Sequence, residues 1–379
     1  MTHDRVRKLD LHVAEVSPKT KWIFLEVEAQ SGLIGWGEAT LTGAEDAVLA
    51  AMAKLAPLAL GLPEASPRHL PKAHPLTGVP EAAAFSALDQ ALWDIAAQRQ
   101  GVGLAAALGG MRRERILLYA NINRRTLDRS PEGFAASARQ AVAAGYGAIK
   151  IAPFDEVSPA ICRAGHGMRA AQAGLARIAS VREAIGTDRD LMVDCHWRFD
   201  EAAATALIAA LAPFGLHWLE CPVPESTAEL AGLRRLRSLA NRQGMRLAGC
   251  EENIRREGFV PFLEAQAYDV MMPDVKYAGG LSEILALAEL LARHGVAFSP
   301  HNPSGPVCHA ASLHVAAAAE NLSSLEIQFD ETPWFEALQA PALAHPKDGF
   351  ATLPAPAGLG MSLDRDALDR CRKVRWSAP

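Results

Sequence analysis

The chain has 379 residues and a net charge of -5, with 21% charged and 50% hydrophobic residues. That balance excludes a disordered tail protein and leaves room for one large domain or two. With 38 Lys and Arg against 43 Asp and Glu and no long basic block, neither nucleic acid nor a membrane surface is an expected partner.

Six cysteines stand singly with no CxxC pair, which suits a reducing, cytoplasmic setting. The opening MTHDRVRKLD has no apolar signal core, and no later stretch reads as a membrane span. From the N-terminus, 21–27 (KWIFLEV) reads as a strand, and 32–38 (GLIGWGE) as a turn leading into another. The pattern turns helical from 44 onward, and 82–98 sets Phe85, Leu88, Leu92 and Ile95 on one helix face. Strands followed by helices make this an α+β module.

From 116 the chain alternates short apolar runs with helical stretches. Strands are expected at 116–121, 148–153, 191–196, 217–222, 246–251, 268–274, 297–302 and 324–329. Helices such as 134–144, 174–185, 202–211, 227–242, 281–294 and 308–319 lie between them. Eight such units imply an α/β fold, a (β/α)8 TIM-type barrel. A doubly wound sheet is the alternative, weakened because no GxGxxG follows the first strand. The expected division is a catalytic barrel over 116–339 and a capping domain over 1–115, completed by 340–379. The tail is expected to end in a short charged helix that packs on the N-terminal module.

In such a barrel the chemistry sits at the C-terminal ends of the strands. Ionisable residues fall there strand after strand: Lys150, Asp194 with His196, Glu220, Glu251, Asp274, His301 and Glu326. Charged groups at the ends of apolar strands are costly to desolvate unless paired or metal-bound. Asp194, Glu220 and Glu251 come from consecutive strands and would repel one another without a divalent cation. Oxygen ligands favour Mg²⁺, with Mn²⁺ possible, over Zn²⁺; salt bridges to barrel Arg or Lys are the bland alternative.

Asp274 and His301 come from adjacent strands, so the carboxylate can orient the imidazole as a general base. His196, two residues past Asp194 on the same strand face, could protonate a leaving hydroxyl or only hydrogen-bond substrate. Lys150 could stabilise an oxyanion, or serve as a structural partner of the acids. Glu326, if its neighbours keep it protonated, could donate to an enolate oxygen. His309 and His314 read as non-ligand residues of an Ala-rich helix. Lys276 reads as facing a loop, Arg124–Arg125 and Arg255–Arg256 as solvated loop charges that could touch an anionic substrate, and the cysteines as small core residues.

Taken in order, several segments carry a resemblance: GWGEA (35–39), SALDQALWDIAA (86–97), VDCHWRF (193–199) and WLECPVPE (218–225). LAGCEE (247–252), MPDVKYAGG (272–280), SPHNPSGP (299–306) and LEIQFDETPWF (325–335) complete the set. On these segments the chain resembles the enolase superfamily in its mandelate racemase-like branch, over essentially its full length. The resemblance implies Mg²⁺-assisted removal of the proton α to a carboxylate. Asp194, Glu220 and Glu251 would be the ligands, with Glu251 preferred over Glu252. Asp274–His301 would be the base dyad and Glu326 the acid hydrogen-bonding the enediolate.

One departure matters. The racemase pattern has Lys-x-Lys at the end of strand two, whereas this chain has Lys150-Ile151-Ala152, without the second base. What remains resembles the acid-sugar dehydratases, galactonate-type members especially, in which the Asp-x-His histidine assists loss of the β-hydroxyl. The expected enzyme is thus a metal-dependent hydro-lyase turning an aldonate or aldarate into a 2-keto-3-deoxy acid. The alternatives are a racemase or epimerase of a 2-hydroxy or amino acid derivative, and a non-catalytic metal-binding barrel. A small carboxylate substrate and a homo-oligomer are expected, with cap regions 16–21 and 42–46 reading the distal hydroxyls.

Overall fold

The computed structural model describes residues 4–378. It opens with three antiparallel strands, β1 (Val6–Glu15), β2 (Lys21–Ala29) and β3 (Ile34–Glu38). Two helices follow, α1 (Glu45–Leu60) and α2 (Val79–Gln100). Leu9 and Leu11 of β1 join Ile23, Leu25 and Val27 of β2 against α1 and α2 in a core of their own. β1 was not foreseen because its other face is charged. Asp10 is wholly buried by Arg375 (2.6 Å), Lys8 and Lys373 (both 3.2 Å), and Glu26 by Arg365 and His12.

Two glycines let β3 lie directly on α2. A Cβ on Gly35 would stand 2.0 Å from the Ala91 carbonyl oxygen, and one on Gly37 1.9 Å from that of Ala87. The GWG of the sequence therefore records a strand–helix approach that admits no side chain.

Eight parallel strands then form the barrel. They are β4 (Arg115–Asn121), β5 (Ala148–Ile151), β6 (Asp190–Asp194), β7 (Trp218–Glu220), β8 (Arg246–Gly249), β9 (Val270–Met271), β10 (Ala297–Phe298) and β11 (Leu325–Gln328). They pair in sequence from β4 to β10, and β11 returns to pair with β4. The seam between β10 and β11 closes through a Phe298–Leu322 bridge and the hydrogen bond from Ser299 Oγ to the Ser324 carbonyl (2.9 Å). Tyr119, Ala148, Met192, Trp218, Ala248 and Val270, one from each of the first six strands, fill the interior as a buried layer.

The ladders are shorter than the apolar runs suggested. The expected strands ran on to 153, 196, 222, 251, 274 and 302, but pairing stops two to four residues earlier. After β6, β7 and β8 the chain turns through left-handed residues: His196 (φ 48°), Trp197 (φ 56°), Cys221 (φ 44°) and Cys250 (φ 69°). Such non-glycine conformations cost about 1–3 kcal/mol each and cluster where function requires an unusual turn.

The tail also differs from expectation. Instead of ending in a charged helix, it makes one helical turn at Arg365–Leu368 and then a strand, β13 (Arg372–Ser377), antiparallel to β1. A further short strand, β12 (Phe350–Thr352), pairs with β4, so the tail serves both the cap sheet and the barrel. Among the described residues, no helix is long and apolar enough to cross a membrane.

Polar residues of β3 and α2 join the cap to the barrel. Glu38 accepts from the backbone N–H groups of Gly305 (2.7 Å) and Cys308 (2.8 Å), at the start of the helix after β10. Asp89 accepts from Leu281 N (2.6 Å), at the start of the helix after β9. These bonds satisfy helix N-termini that would otherwise be buried unpaired.

Gly37→Ala should therefore lower stability by about 3 kcal/mol or more, read as a fall in the urea midpoint. Gly147→Ala, where a Cβ meets nothing within 4 Å, should change it by less than about 1 kcal/mol. Equal effects at the two positions would contradict the strand–helix contact.

Candidate active site

All eight residues singled out at the strand ends gather at one end of the barrel. Asp194 closes β6 and Glu220 closes β7, directly opposite each other in the parallel register. Lys150 lies in β5 and Glu326 in β11. Glu251, Asp274 and His301 sit on the turns just beyond β8, β9 and β10.

A cavity of about 250 Å³ opens there, lined by Asn121, Asn123, Arg124, Lys150, Asp194 and His196. Glu251, Glu252, Lys276, Tyr277, His301, Pro303 and Gln328 complete its barrel wall, and Thr40, Leu41 and Thr42 approach from the cap. Of the two cap regions expected over the site, only Thr42 lines this cavity. The 16–21 segment is instead tied to the loop after β11, through Thr20 Oγ1 to Glu331 (2.5 Å) and Thr332 Oγ1 to the Val16 carbonyl (3.0 Å).

The electrostatics are those of crowded acids. Lys150 Nζ lies 2.6 Å from Glu220 Oε1 and 2.9 Å from Glu326 Oε1, and these partners hold it charged despite complete burial. The Trp218 indole donates to the other Glu220 oxygen (2.9 Å). Glu251 has no cation of comparable proximity. Burial, with Asp194 and Glu220 nearby, pushes its carboxyl well above the usual range. Glu251 is 5% exposed whereas the adjacent Glu252 is exposed, so the inward member of the pair is Glu251. Three inward carboxylates, one left without a counter-charge, form the donor set that a hard divalent cation suits.

Among the described residues, one His/Asp/Glu trio is drawn together more tightly: Asp10, His12 and Glu26 in the cap. It has no need of a metal, because Lys8, Lys373, Arg375 and Arg365 surround it.

His196 faces the cavity as expected, but from a turn rather than from the strand. The strand ends at Asp194, and the left-handed turn at His196 folds its ring back so that Nε2 lies 2.7 Å from Asp194 Oδ2. The Asp194 charge raises the imidazole pKa. Burial alone would raise the Asp194 pKa, but His196 and Lys150 outweigh it and hold that carboxyl at about 2.

Asp274 and His301 form the expected pair, Oδ2 to Nδ1 at 2.9 Å. A carboxylate only accepts, so Nδ1 carries the hydrogen and Nε2 is left as acceptor, 3.7 Å from Glu251 Oε1. Burial would raise Asp274, but Lys276 and His301 keep it below the usual carboxylate range.

Lys276 is the clearest correction. Rather than facing a loop it is 1% exposed, with Nζ 2.8 Å from Asp274 Oδ2 and bonded to Ser304 Oγ. The chain past Asp274 makes a tight turn, Tyr277 N and Ala278 N both bonding the Asp274 carbonyl at 2.9 Å, which brings the lysine back inward.

Glu326 also departs from expectation. Asn121 Nδ2 (2.7 Å), Asn302 N (3.0 Å) and Lys150 all donate to it. Burial opposes its ionisation, but Lys150 and His301 prevail and hold the pKa low. Its surroundings keep it a carboxylate, not a proton donor.

The four arginines read as solvated are all engaged: Arg124 with Glu331, Arg125 with Asp330, Arg255 with the His74 carbonyl and Arg256 with Glu283. Only Arg124 lines the cavity. His309 and His314 are buried in the helix Pro306–Ala318, outside this cavity. Cys195, Cys221, Cys250 and Cys308 are buried free thiols. Glu225, not singled out before, accepts from Cys250 N (2.6 Å) and Tyr268 Oη (2.7 Å) and so fixes the turn that presents Glu251.

Removing Lys150 would leave Glu220 and Glu326 buried without their shared cation. Lys150→Met should cost about 3–5 kcal/mol of metal-free stability at pH 8, measured by urea unfolding. The loss should shrink at pH 5 as the acids take up protons; a loss below about 1 kcal/mol at pH 8 would contradict the charge network.

Comparison with known proteins fits this architecture. Residues 2–109 match the mandelate racemase/muconate lactonizing enzyme N-terminal domain, and residues 133–367 the enolase C-terminal domain-like family. A D-galactonate dehydratase of Verminephrobacter eiseniae is 33% identical over 311 residues, 81% of this chain and 78% of that protein. One from Xanthomonas oryzae pv. oryzae is 31% identical over 364 residues, 93% of this chain and 91% of that protein. The crystal structure of an enolase protein from Sargasso Sea environmental sequencing superposes with a TM-score of 0.83 at 29% identity, covering 99% of this chain and 100% of that one. The chain therefore belongs to the enolase superfamily, in its mandelate racemase-like branch, and is an enzyme of the hydro-lyase class.

Proposed function

We propose that the enzyme dehydrates a sugar acid with a divalent cation, Mg²⁺ or alternatively Mn²⁺, held by Asp194, Glu220 and Glu251. Bound there, the cation would supply Lewis-acid charge to the substrate carboxylate as the α-proton leaves. His301 Nε2, the free imidazole nitrogen turned into the cavity, takes that proton, and Asp274 orients the ring. The C–H electron pair passes into the carboxylate as an enediolate. Lys150, kept charged between Glu220 and Glu326, stabilises the growing negative charge on oxygen. The electron pair then expels the β-hydroxyl, which leaves as water with a proton from His196. The resulting enol gives up its hydroxyl proton as the β-carbon takes one up, and becomes a 2-keto-3-deoxy acid.

One observation carries the reading: His301 and His196 both line a single cavity, His196 beside Asp194 and His301 beside Glu251. One can remove a proton and the other can deliver one. Relatives described as D-galactonate dehydratases support a linear aldonate as substrate. Racemisation is disfavoured because Ala152 occupies the position where a second base would stand, and Lys276 is already paired with Asp274. Free, mostly buried thiols agree with a cytoplasmic enzyme, and a homo-oligomer remains our reading of the assembly.

The test is a screen of aldonic and aldaric acids with Mg²⁺, detecting 2-keto product by semicarbazide and run in parallel in D₂O. Dehydration should appear with at least one aldonate, and His301→Asn should lower it by roughly a thousand-fold. Inversion or deuteration of the α-carbon with no 2-keto product would overturn the dehydratase reading in favour of a racemase.

A further inference from the structure

Three Lys and Arg side chains line the cavity: Lys150, Lys276 and Arg124. The first two lie at its floor, each 1% exposed and held by buried acids. Arg124 belongs to the mouth. It leaves the loop after β4, reaches the Pro303 carbonyl beyond β10 through Nη1 (3.1 Å), and meets Glu331 beyond β11 at 3.3 Å. It therefore spans the top of β11, above Glu326. Glu331 is fixed in turn, its side chain 6% exposed and its second oxygen taken by Thr20 of the cap.

We propose that the Arg124–Glu331 pair is a charge filter that admits mono-acids and turns away di-acids. The inference rests on the dehydratase reading above and names the substrate class within it. A linear sugar acid whose reacting carboxylate lies at the acid cluster presents its far end to the mouth. That end is a neutral hydroxymethyl in an aldonate and a second carboxylate in an aldarate. A lone arginine there would recruit the second carboxylate in bidentate fashion.

This arginine is not alone: the Glu331 carboxylate already balances its charge. Nearby lining residues Thr40, Thr42, Asn123 and Gln328 are neutral hydrogen-bonding groups, Leu41, Tyr277 and Pro303 carry no charge, and Glu252 adds an exposed negative charge. Among the described residues, the Nε and Nη2 donors of Arg124 meet no acceptor, so they are available to substrate hydroxyls. The mouth thus reads hydroxyls with a charge-balanced arginine and repels a second anion.

The test compares matched hexonate and hexarate pairs, D-galactonate and its di-acid counterpart among them, by kcat/KM and by calorimetric binding to the Mg²⁺-loaded protein. The wild type should favour hexonates by at least about 100-fold. Glu331→Gln, which leaves the guanidinium unbalanced, should shift that ratio toward the di-acid by roughly ten-fold or more. Arg124→Gln, which leaves the carboxylate unbalanced, should shift it the opposite way. A purely structural pair would lower both substrates alike in both variants, and that outcome would overturn the filter, as would a wild type using hexarates as well as hexonates. Absence of turnover with every sugar acid would instead sink the dehydratase reading; the ratio of binding constants and its response to the two variants still decide the filter.

Discussion

Five carboxylates, Asp194, Glu220, Glu251, Asp274 and Glu326, crowd one end of a barrel with at most 5% exposure each. Two buried ammonium groups, Lys150 and Lys276, answer them. Charges of one sign cannot share so little water unless others balance them, and the fixed lysines leave the cluster three positive charges short. A divalent cation and a protonated imidazole would make up that difference. The same imbalance accounts for the carboxyl of Glu251 rising well above its usual range while those of Asp274 and Glu326 are held low. Asp274 and Glu326, each beside a lysine, ionise, whereas Glu251 resists, and so does Glu220, where burial with the neighbouring Asp194 and Glu326 charges outweighs the shared Lys150.

The cap contributes rigidity as much as coverage. Glu38 and Asp89 satisfy the first N–H groups of the two helices that follow Asp274 and His301. The loops carrying the proposed base pair are thereby pinned by residues far away in the sequence. The close approach of β3 to α2, which requires Gly35 and Gly37, puts Glu38 within reach. Packing in the small domain is in this way translated into placement of an imidazole in the large one.

Much of this was legible in the sequence, because a parallel barrel strand ends where its apolar run ends and the next ionisable residue faces the mouth. Asp194 and Glu220 follow that rule directly, while Lys150 and Glu326 stand one and two residues inside the ends of their strands. Lys276 breaks it: spacing alone cannot reveal that a tight turn after Asp274 carries a lysine back under the barrel rim. β1 was hidden for another reason. Its Lys8, Asp10 and His12 look like solvent-facing residues, and only the arriving Arg375 and Lys373 of β13 make their burial tolerable. The protonation of Glu326 was likewise beyond reach, since three donors on other segments decide it. Arg124 reads as an ordinary loop charge until Glu331, more than two hundred residues later, is seen beside it.

The measurement that tests the charge account most directly is the stability of the metal-free protein and its response to Mg²⁺, compared between the wild type and Glu251→Gln. Removing a repelled carboxylate should raise the metal-free melting temperature. It should also abolish most of the Mg²⁺-induced rise, which the wild type should show as saturable binding of one ion per chain. A lower metal-free melting temperature in Glu251→Gln, or a Mg²⁺ response equal to that of the wild type, would contradict it.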